Sequence, residues 1–117
     1  MDRESELVGK ALKNNQFTIA VDLDGCLAEM GEWRGYQYIG PPIMSVVKDI
    51  RRAKRRGAKI ILHTCRISTI DNKIYPDSLD TIRKWLKDND VPVDEIWMGT
   101  GKPAAQEYWD DKAVKKP

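Results

Sequence analysis

The segment spanning residues 18–27 constrains the fold of this chain more than any other. It begins as an apolar run rich in branched side chains and ends in two carboxylates, Asp22 and Asp24, followed by Gly25. Such a run is typical of a strand buried on both faces. Carboxylates are costly to bury without a cation or partner, so this strand must end at the edge of a sheet, where open α/β sheets bind ligands. The alternative is an ordinary strand followed by a solvated Asp-Gly turn.

Length and composition predict one globular domain over residues 1–117. Hydrophobic residues make up 41% and charged residues 32% of the chain, and the net charge of +2 is too small to indicate nucleic acid or membrane by itself. No apolar run has the length of a membrane span, and residues 1–6 are too polar for a secretory signal. Two cysteines do not form a disulfide framework, so a cytoplasmic location is expected.

The remaining hydrophobic pattern alternates between helical and strand periods, which predicts a parallel sheet with right-handed crossovers. The expected fold class is α/β, a Rossmann-like three-layer sandwich with strand order 4-1-2-3 and helices on both faces. An N-terminal helix within residues 1–15 would precede a core over residues 17–114. The predicted elements are helices over 4–14, 42–56 and 77–89 and strands over 17–22, 59–64, 95–98 and 107–109.

Two loops flank the predicted carboxyl edge, over residues 25–42 and 67–76. A long loop directly after paired carboxylates is more typical of a lid than of a linker. Tyr36 to Ile39 could form a hairpin arm within it. The first loop also carries aromatic and basic side chains that either contact a substrate or pack the loop onto the domain: Trp33, Arg34, Tyr36 and Tyr38.

A basic cluster at the end of the second helix runs over residues 51–59. It could contact nucleic acid, but cations are also favoured at a helix C-terminus by the helix dipole. That end of the helix lies far from the carboxylates, so a solvated face is the preferred interpretation. His63 is the single histidine, and on a buried strand it indicates packing rather than catalysis.

Four segments of the chain carry further motifs. In chain order they are VDLDGCL at 21–27, ILHT at 61–64, GKP at 101–103 and WDD at 109–111. Taken together, they resemble the motifs of the haloacid dehalogenase superfamily. The resemblance covers residues 17–114 and extends to small phosphatase-like members of bacteria and phages that have no cap domain. Four motifs in the right order, each at a predicted strand end or adjoining loop, are far more specific than one Asp-x-Asp-Gly.

The resemblance implies a Mg²⁺-dependent phosphohydrolase that cleaves phosphomonoesters through an aspartyl-phosphate. Asp22 would be the nucleophile and Asp24 the general acid and base. Mg²⁺ would be held by Asp22, the backbone carbonyl of Asp24 and Asp110. Thr64 would bind a phosphoryl oxygen and Lys102 would neutralise charge. The resemblance also assigns substrate contacts to Leu23, Cys65 and Arg66, with Arg66 alternatively bracing the loop, and a supporting role near the metal to Asp111.

Several alternatives stay open at this point. A phosphorylated small molecule is the expected substrate, and the alternatives are a phosphatase acting on polynucleotide ends or a catalytically idle binding module. Cys26 and Cys65 follow neighbouring strands, so they are either thiols or a regulatory disulfide. Gln106 and Glu107 are polar for a buried strand, which indicates an edge strand and leaves room for a homo-oligomer.

Overall fold

The computed structural model describes residues 17–32, 34–35, 37–67, 76–99, 101–110 and 114–115, with only the backbone at 76, 77, 114 and 115. The predicted helix over 4–14, Trp33, Tyr36 and Asp111 therefore lie outside the described residues. The described elements are β1 (Thr18–Val21), α1 (Met44–Arg55), β2 (Lys59–Leu62), a 3-10 turn (Cys65–Ile67), α2 (Pro76–Asp88), β3 (Glu95–Ile96), β4 (Glu107–Trp109) and β5 (Val114–Lys115).

The strands form one five-stranded sheet in the order β3-β2-β1-β4-β5. β1 pairs in parallel with β2 and β4, and β2 pairs in parallel with β3. Read from the opposite edge, the first four strands have the predicted order 4-1-2-3, but the prediction did not include β5. Because β5 pairs with β4 in the antiparallel sense, the sheet is mixed and β4 is an inner strand, so the prediction of a wholly parallel sheet with β4 at its edge was wrong.

The described helices, α1 and α2, lie on one face of the sheet. Both crossovers step in the same direction from β1 to β3, and right-handed connections place their helices on the same side. Arg51 of α1 accordingly donates hydrogen bonds to the backbone carbonyls of Asn89 and Asp90, just after α2. The small α/β domain is compatible with a Rossmann-like arrangement, and the second helical layer stays a prediction.

The core between this face and the helices follows the predicted apolar stripes. Val47 and Ile50 of α1 are fully buried, as is Ile82 of α2. Full burial of one such side chain contributes roughly 1.5–3 kcal/mol to folding. The core residues on the strands alternate along the chain, with Ile19 and Val21 on β1 and Ile60 and Leu62 on β2. This alternation turns one face of β1 and β2 toward the core.

Helix α1 begins at Met44, two residues later than predicted. Pro42 does not open the helix, because it forms an antiparallel bridge with Ala28, and Ile43 donates its N–H to the carbonyl of Leu27 at 2.7 Å. Gly40 lies so close to the returning chain that a Cβ there would stand 2.1 Å from the carbonyl oxygen of Glu29. The two ends of the 25–42 loop are therefore held together by backbone pairing.

The middle of this loop differs from the prediction of a hairpin arm over residues 36–39. Tyr38 instead donates its N–H to the carbonyl of Gly35 in a turn.

Among the described residues, neither helix combines the length and the apolar character that crossing a bilayer requires.

Candidate active site

The carboxyl ends of β1 and β4 bring two predicted ligands into register. Val21 is aligned with Trp109, and Asp22 donates its backbone N–H to the carbonyl of Trp109 at 2.9 Å. The pairing therefore continues one residue past β1, so Asp22 and Asp110 follow at the same level of two strands about 4.8 Å apart. These two residues are 88 positions apart in sequence and meet only through the sheet.

The carboxylate of Asp22 is oriented by its own backbone. The N–H of Leu23 donates to Oδ1 of Asp22 at 2.8 Å. The side chain of Leu23 is fully buried in the core. The predicted substrate contact by Leu23 is therefore wrong for its side chain. An apolar side chain that follows a core strand is buried because of the hydrophobic effect.

The carboxylate of Asp24 forms a buried ion pair with Arg66. Nε of Arg66 donates to one carboxylate oxygen at 2.7 Å and Nη2 donates to the other at 2.8 Å. The Arg66 side chain is 4% exposed and that of Asp24 is 14% exposed. Gly25, with φ of +81°, allows the sharp turn that directs the chain away directly after Asp24. The pair joins the ends of β1 and β2 in a fork-to-fork geometry.

Arg66 also contacts the long loop. Its Nη2 donates to the backbone carbonyl of Tyr38 at 2.8 Å, so one guanidinium holds Asp24 and the 25–42 loop together. Of the two roles left open for Arg66, this geometry favours bracing over an exposed substrate contact. The predicted substrate contact is replaced by internal hydrogen bonds because the side chain points under the loop rather than into solvent.

Thr64 lies at the carboxyl end of β2, as predicted. It is 6% exposed, and its Oγ1 accepts a hydrogen bond from the N–H of Arg66 at 3.2 Å. A hydroxyl that accepts one hydrogen bond still has its own hydrogen to donate. Cys65 is exposed at the same end, Cys26 is buried, and both are free thiols in this structure.

Lys102 lies in the loop before β4. Its Nζ stands 5.6 Å from the centre of the Tyr108 ring. Tyr108 is aligned with Ala20 across the β1–β4 pair and precedes Asp110 by two residues. Residues two apart on a strand share a face, so Tyr108, Ala20, Asp22 and Asp110 belong to one face of the sheet and the ammonium is on that side.

The register of Asp22 and Asp110 has an electrostatic consequence. Two carboxylates at the same level of neighbouring strands carry like charges that repel each other, by an amount that depends on the effective dielectric constant. A bound divalent cation converts this repulsion into attraction. Carboxylate and carbonyl oxygens are ligands that Mg²⁺ prefers, so the chemistry of the donor set fits this ion.

A full cage of side-chain ligands is not part of this arrangement. Across the described ranges, which exclude Asp111, no three His, Cys, Asp or Glu side chains group closely enough to hold a metal ion. The ligand set implied by the resemblance uses two carboxylates and one backbone carbonyl. Because Arg66 occupies both carboxylate oxygens of Asp24, the backbone carbonyl is the group that Asp24 could offer.

The basic cluster at the end of α1 is largely engaged with neighbouring acids and carbonyls. Lys54 pairs with Asp94, Lys59 pairs with Glu95 at 3.0 Å, and Arg51 binds carbonyls after α2. These contacts tie α1 and β2 to the segment that leads into β3. They support the interpretation of this cluster as a structural, solvated surface.

The loop above the site presents exposed side chains. The guanidinium of Arg34 lies 4.9 Å from the centre of the Tyr38 ring, and Tyr38 is 43% exposed. Tyr38 is therefore not packed down onto the domain, and its backbone is held from below by Arg66. This surface is the described part of the loop that a substrate could contact.

The Asp24–Arg66 pair is the feature that sequence reasoning did not find. The signal available was an arginine two residues after Thr64, with nothing in the chain to name its partner 42 positions away.

In comparisons with known proteins, no family model, no curated protein and no solved structure matches this chain. The geometry of the site therefore carries the functional argument alone.

Proposed function

We propose that this chain is a Mg²⁺-dependent phosphatase that hydrolyses phosphomonoesters through an aspartyl-phosphate on Asp22. The observation that carries the proposal is the register that sets Asp22 and Asp110 side by side at the carboxyl edge of the sheet. Two carboxylates brought together in this way are the kind of oxygen ligands that Mg²⁺ prefers.

In the proposed reaction, a carboxylate oxygen of Asp22 attacks phosphorus and the bond from phosphorus to the leaving oxygen breaks. Asp24, which must enter the reaction in its protonated form, gives that oxygen a proton, and in the second half of the reaction it recovers a proton from the water that hydrolyses the acyl phosphate. The hydroxyl of Thr64 donates to a phosphoryl oxygen, and Lys102 balances its negative charge. Mg²⁺, when bound, offsets the repulsion between the nucleophile and the phosphate.

The substrate class proposed is a phosphorylated small molecule. A polynucleotide end is the alternative, and the engagement of Arg51, Lys54 and Lys59 with their own acids and carbonyls favours the small molecule. An idle binding module is the other alternative. It would keep the metal site without turning over a phosphoester.

The test is turnover of an aryl phosphate with Mg²⁺ and with a chelator, comparing the unchanged chain with Asp22→Asn. Asp80→Asn, an exposed position on α2, is the matched control for loss of one carboxylate. Metal-dependent turnover that only Asp22→Asn loses supports the proposal. Equal rates in all three proteins would point to a contaminant and favour the binding module.

A substrate panel then separates the two phosphatase alternatives. The panel contains a sugar phosphate, a mononucleotide and an oligonucleotide with a 3′-phosphate. A preference for either small molecule supports the proposal, and a marked preference for the oligonucleotide supports the alternative.

A further inference from the structure

Arg66 is a buried guanidinium that joins two functional parts of the molecule. Its side chain holds both oxygens of the Asp24 carboxylate and also binds the carbonyl of Tyr38 in the long loop. In the proposed reaction Asp24 transfers the protons, so whatever fixes its carboxylate also affects that transfer.

We propose that Arg66 is a positioning residue that sets the Asp24 carboxylate for proton transfer and links its position to the 25–42 loop. This inference rests on the proposed phosphatase function and deepens it. Arg66 would act through Asp24 and not by contact with the substrate phosphate.

The geometry of the pair supports positioning. Two parallel hydrogen bonds fix both the direction and the plane of a carboxylate, which a single bond does not. A lysine offers a point charge and cannot reproduce this fork. Arg66 itself starts from a fixed backbone, because its N–H binds Oγ1 of Thr64 and the N–H of Ile67 binds the carbonyl of Thr64.

Proton transfer is sensitive to such placement. A catalytic acid must come within about 2.6–3.2 Å of the oxygen it protonates. When Asp24 carries the proton to be transferred, a small rotation would direct its O–H to the leaving oxygen, while its other oxygen would keep its hydrogen bond to Arg66. Without Arg66 the carboxylate would lose this hold, and the loop would lose its contact at Tyr38.

This mechanism predicts that loss of Arg66 affects only substrates that need a proton to leave. Phenyl phosphate releases a poor leaving group that benefits from protonation, whereas dinitrophenyl phosphate releases a phenolate that leaves without it. The parameter to measure is kcat/KM in saturating Mg²⁺, because it reports the steps up to phosphoryl transfer and is independent of the later hydrolysis.

We expect Arg66→Gln to lower kcat/KM for phenyl phosphate by about 10–100-fold, the usual effect of removing a supporting partner in an active site. For dinitrophenyl phosphate the decrease should stay within about threefold, because its leaving group needs little help from an acid. Asp24→Asn should show the same contrast, and Arg66→Lys should resemble Arg66→Gln although it keeps the charge. Arg83→Gln, an exposed arginine on α2, is the control and should change neither value.

The double variant Asp24→Asn with Arg66→Gln provides a second measurement and replaces the buried ion pair with two neutral amides. If Arg66 acts through Asp24, the double variant should be no slower on phenyl phosphate than Asp24→Asn alone. Additive losses would overturn the proposal.

Two other outcomes are distinguishable. A decrease of equal size on both esters would overturn the positioning role and indicate a general structural role or direct phosphate binding by Arg66. If the unchanged chain hydrolyses neither ester, the proposed phosphatase function itself fails, and the positioning role fails with it.

Discussion

The amino and carboxyl ends of the parallel strands arrange their charges in opposite ways. At the amino end, charges stand beside ones of opposite sign: Lys59 lies beside Glu95 and Lys54 beside Asp94. At the carboxyl end, the register sets Asp22 beside Asp110, which has the same sign. The first arrangement pairs opposite charges within the chain, whereas the second is the one that the proposed cation would stabilise.

The comparison also separates exposed from buried ion pairs. The amino-end pairs are partly exposed and of the kind that contributes little to stability. At the carboxyl end, the pair of Asp24 with Arg66 is largely buried, so removal of one partner leaves a charge in the interior. Charge at the amino end is therefore tolerant of substitution, and charge at the carboxyl end is not.

The largest expected effect is on activity. Asp22→Asn should lower turnover of an aryl phosphate by about a thousandfold or more, because the amide cannot replace the nucleophile. A rate assay with the purified variant measures this, beside Asp80→Asn as the surface control. Turnover within tenfold of the unchanged chain would contradict the functional difference between the two ends.

The second effect is on stability. Asp24→Ala should lower the free energy of unfolding by about 3–5 kcal/mol, because Arg66 remains buried with no carboxylate. Urea unfolding monitored by circular dichroism measures the change. Asp24→Asn, which retains one acceptor oxygen, should lose less. A loss in Asp24→Ala below 1 kcal/mol, the surface-pair range, would show that this pair resembles those at the amino end.

The third effect is on metal binding. Mg²⁺ at a hundred times its dissociation constant should add about 2.7 kcal/mol to the free energy of unfolding. Asp110→Asn should remove most of this gain because it removes one of the two carboxylates in register. Thermal unfolding with Mg²⁺ and with chelator gives the answer without an activity assay. If Mg²⁺ does not raise the unfolding temperature of the unchanged chain, this result would argue against a cation at this edge.

The smallest effect belongs to the amino end. Lys59→Ala should lower stability by less than about 1 kcal/mol, as for other partly exposed pairs. A double-mutant cycle with Glu95→Ala isolates the interaction, which should weaken further at high salt. A coupling energy above 2 kcal/mol would remove the distinction between the two ends.

Much of the fold could be predicted from local patterns. The apolar spacing of Ile43, Val46, Val47, Ile50 and Ala53 predicts α1, although Ile43 lies one residue before the helix. β4 has the predicted bounds of Glu107–Trp109. β1, β2 and β3 each end one or two residues early, although N–H groups of Asp22, His63 and Trp97 continue the pairing. Element ends depend on these partners, which periodicity does not contain.

The candidate site was also predictable in part from local patterns. Asp22, Thr64 and Asp110 follow strand ends, so parallel pairing is enough to bring them to one edge. The partner of Asp24 and the closure of the loop at Pro42 were not predictable, because each depends on a contact between distant segments.

The sequence by itself determined which residues become strands and helices, and that acidic side chains follow buried strands, because hydrophobic period and the cost of burying charge act locally. Only the tertiary structure decided that β4 is an inner strand, that Arg66 turns inward to Asp24, and that Asp22 and Asp110 share a level. The last two features depend on side-chain direction and register across 42 and 88 residues of separation, and the first depends on the antiparallel pairing of β5 with β4. Hydrophobic period specifies none of these contacts.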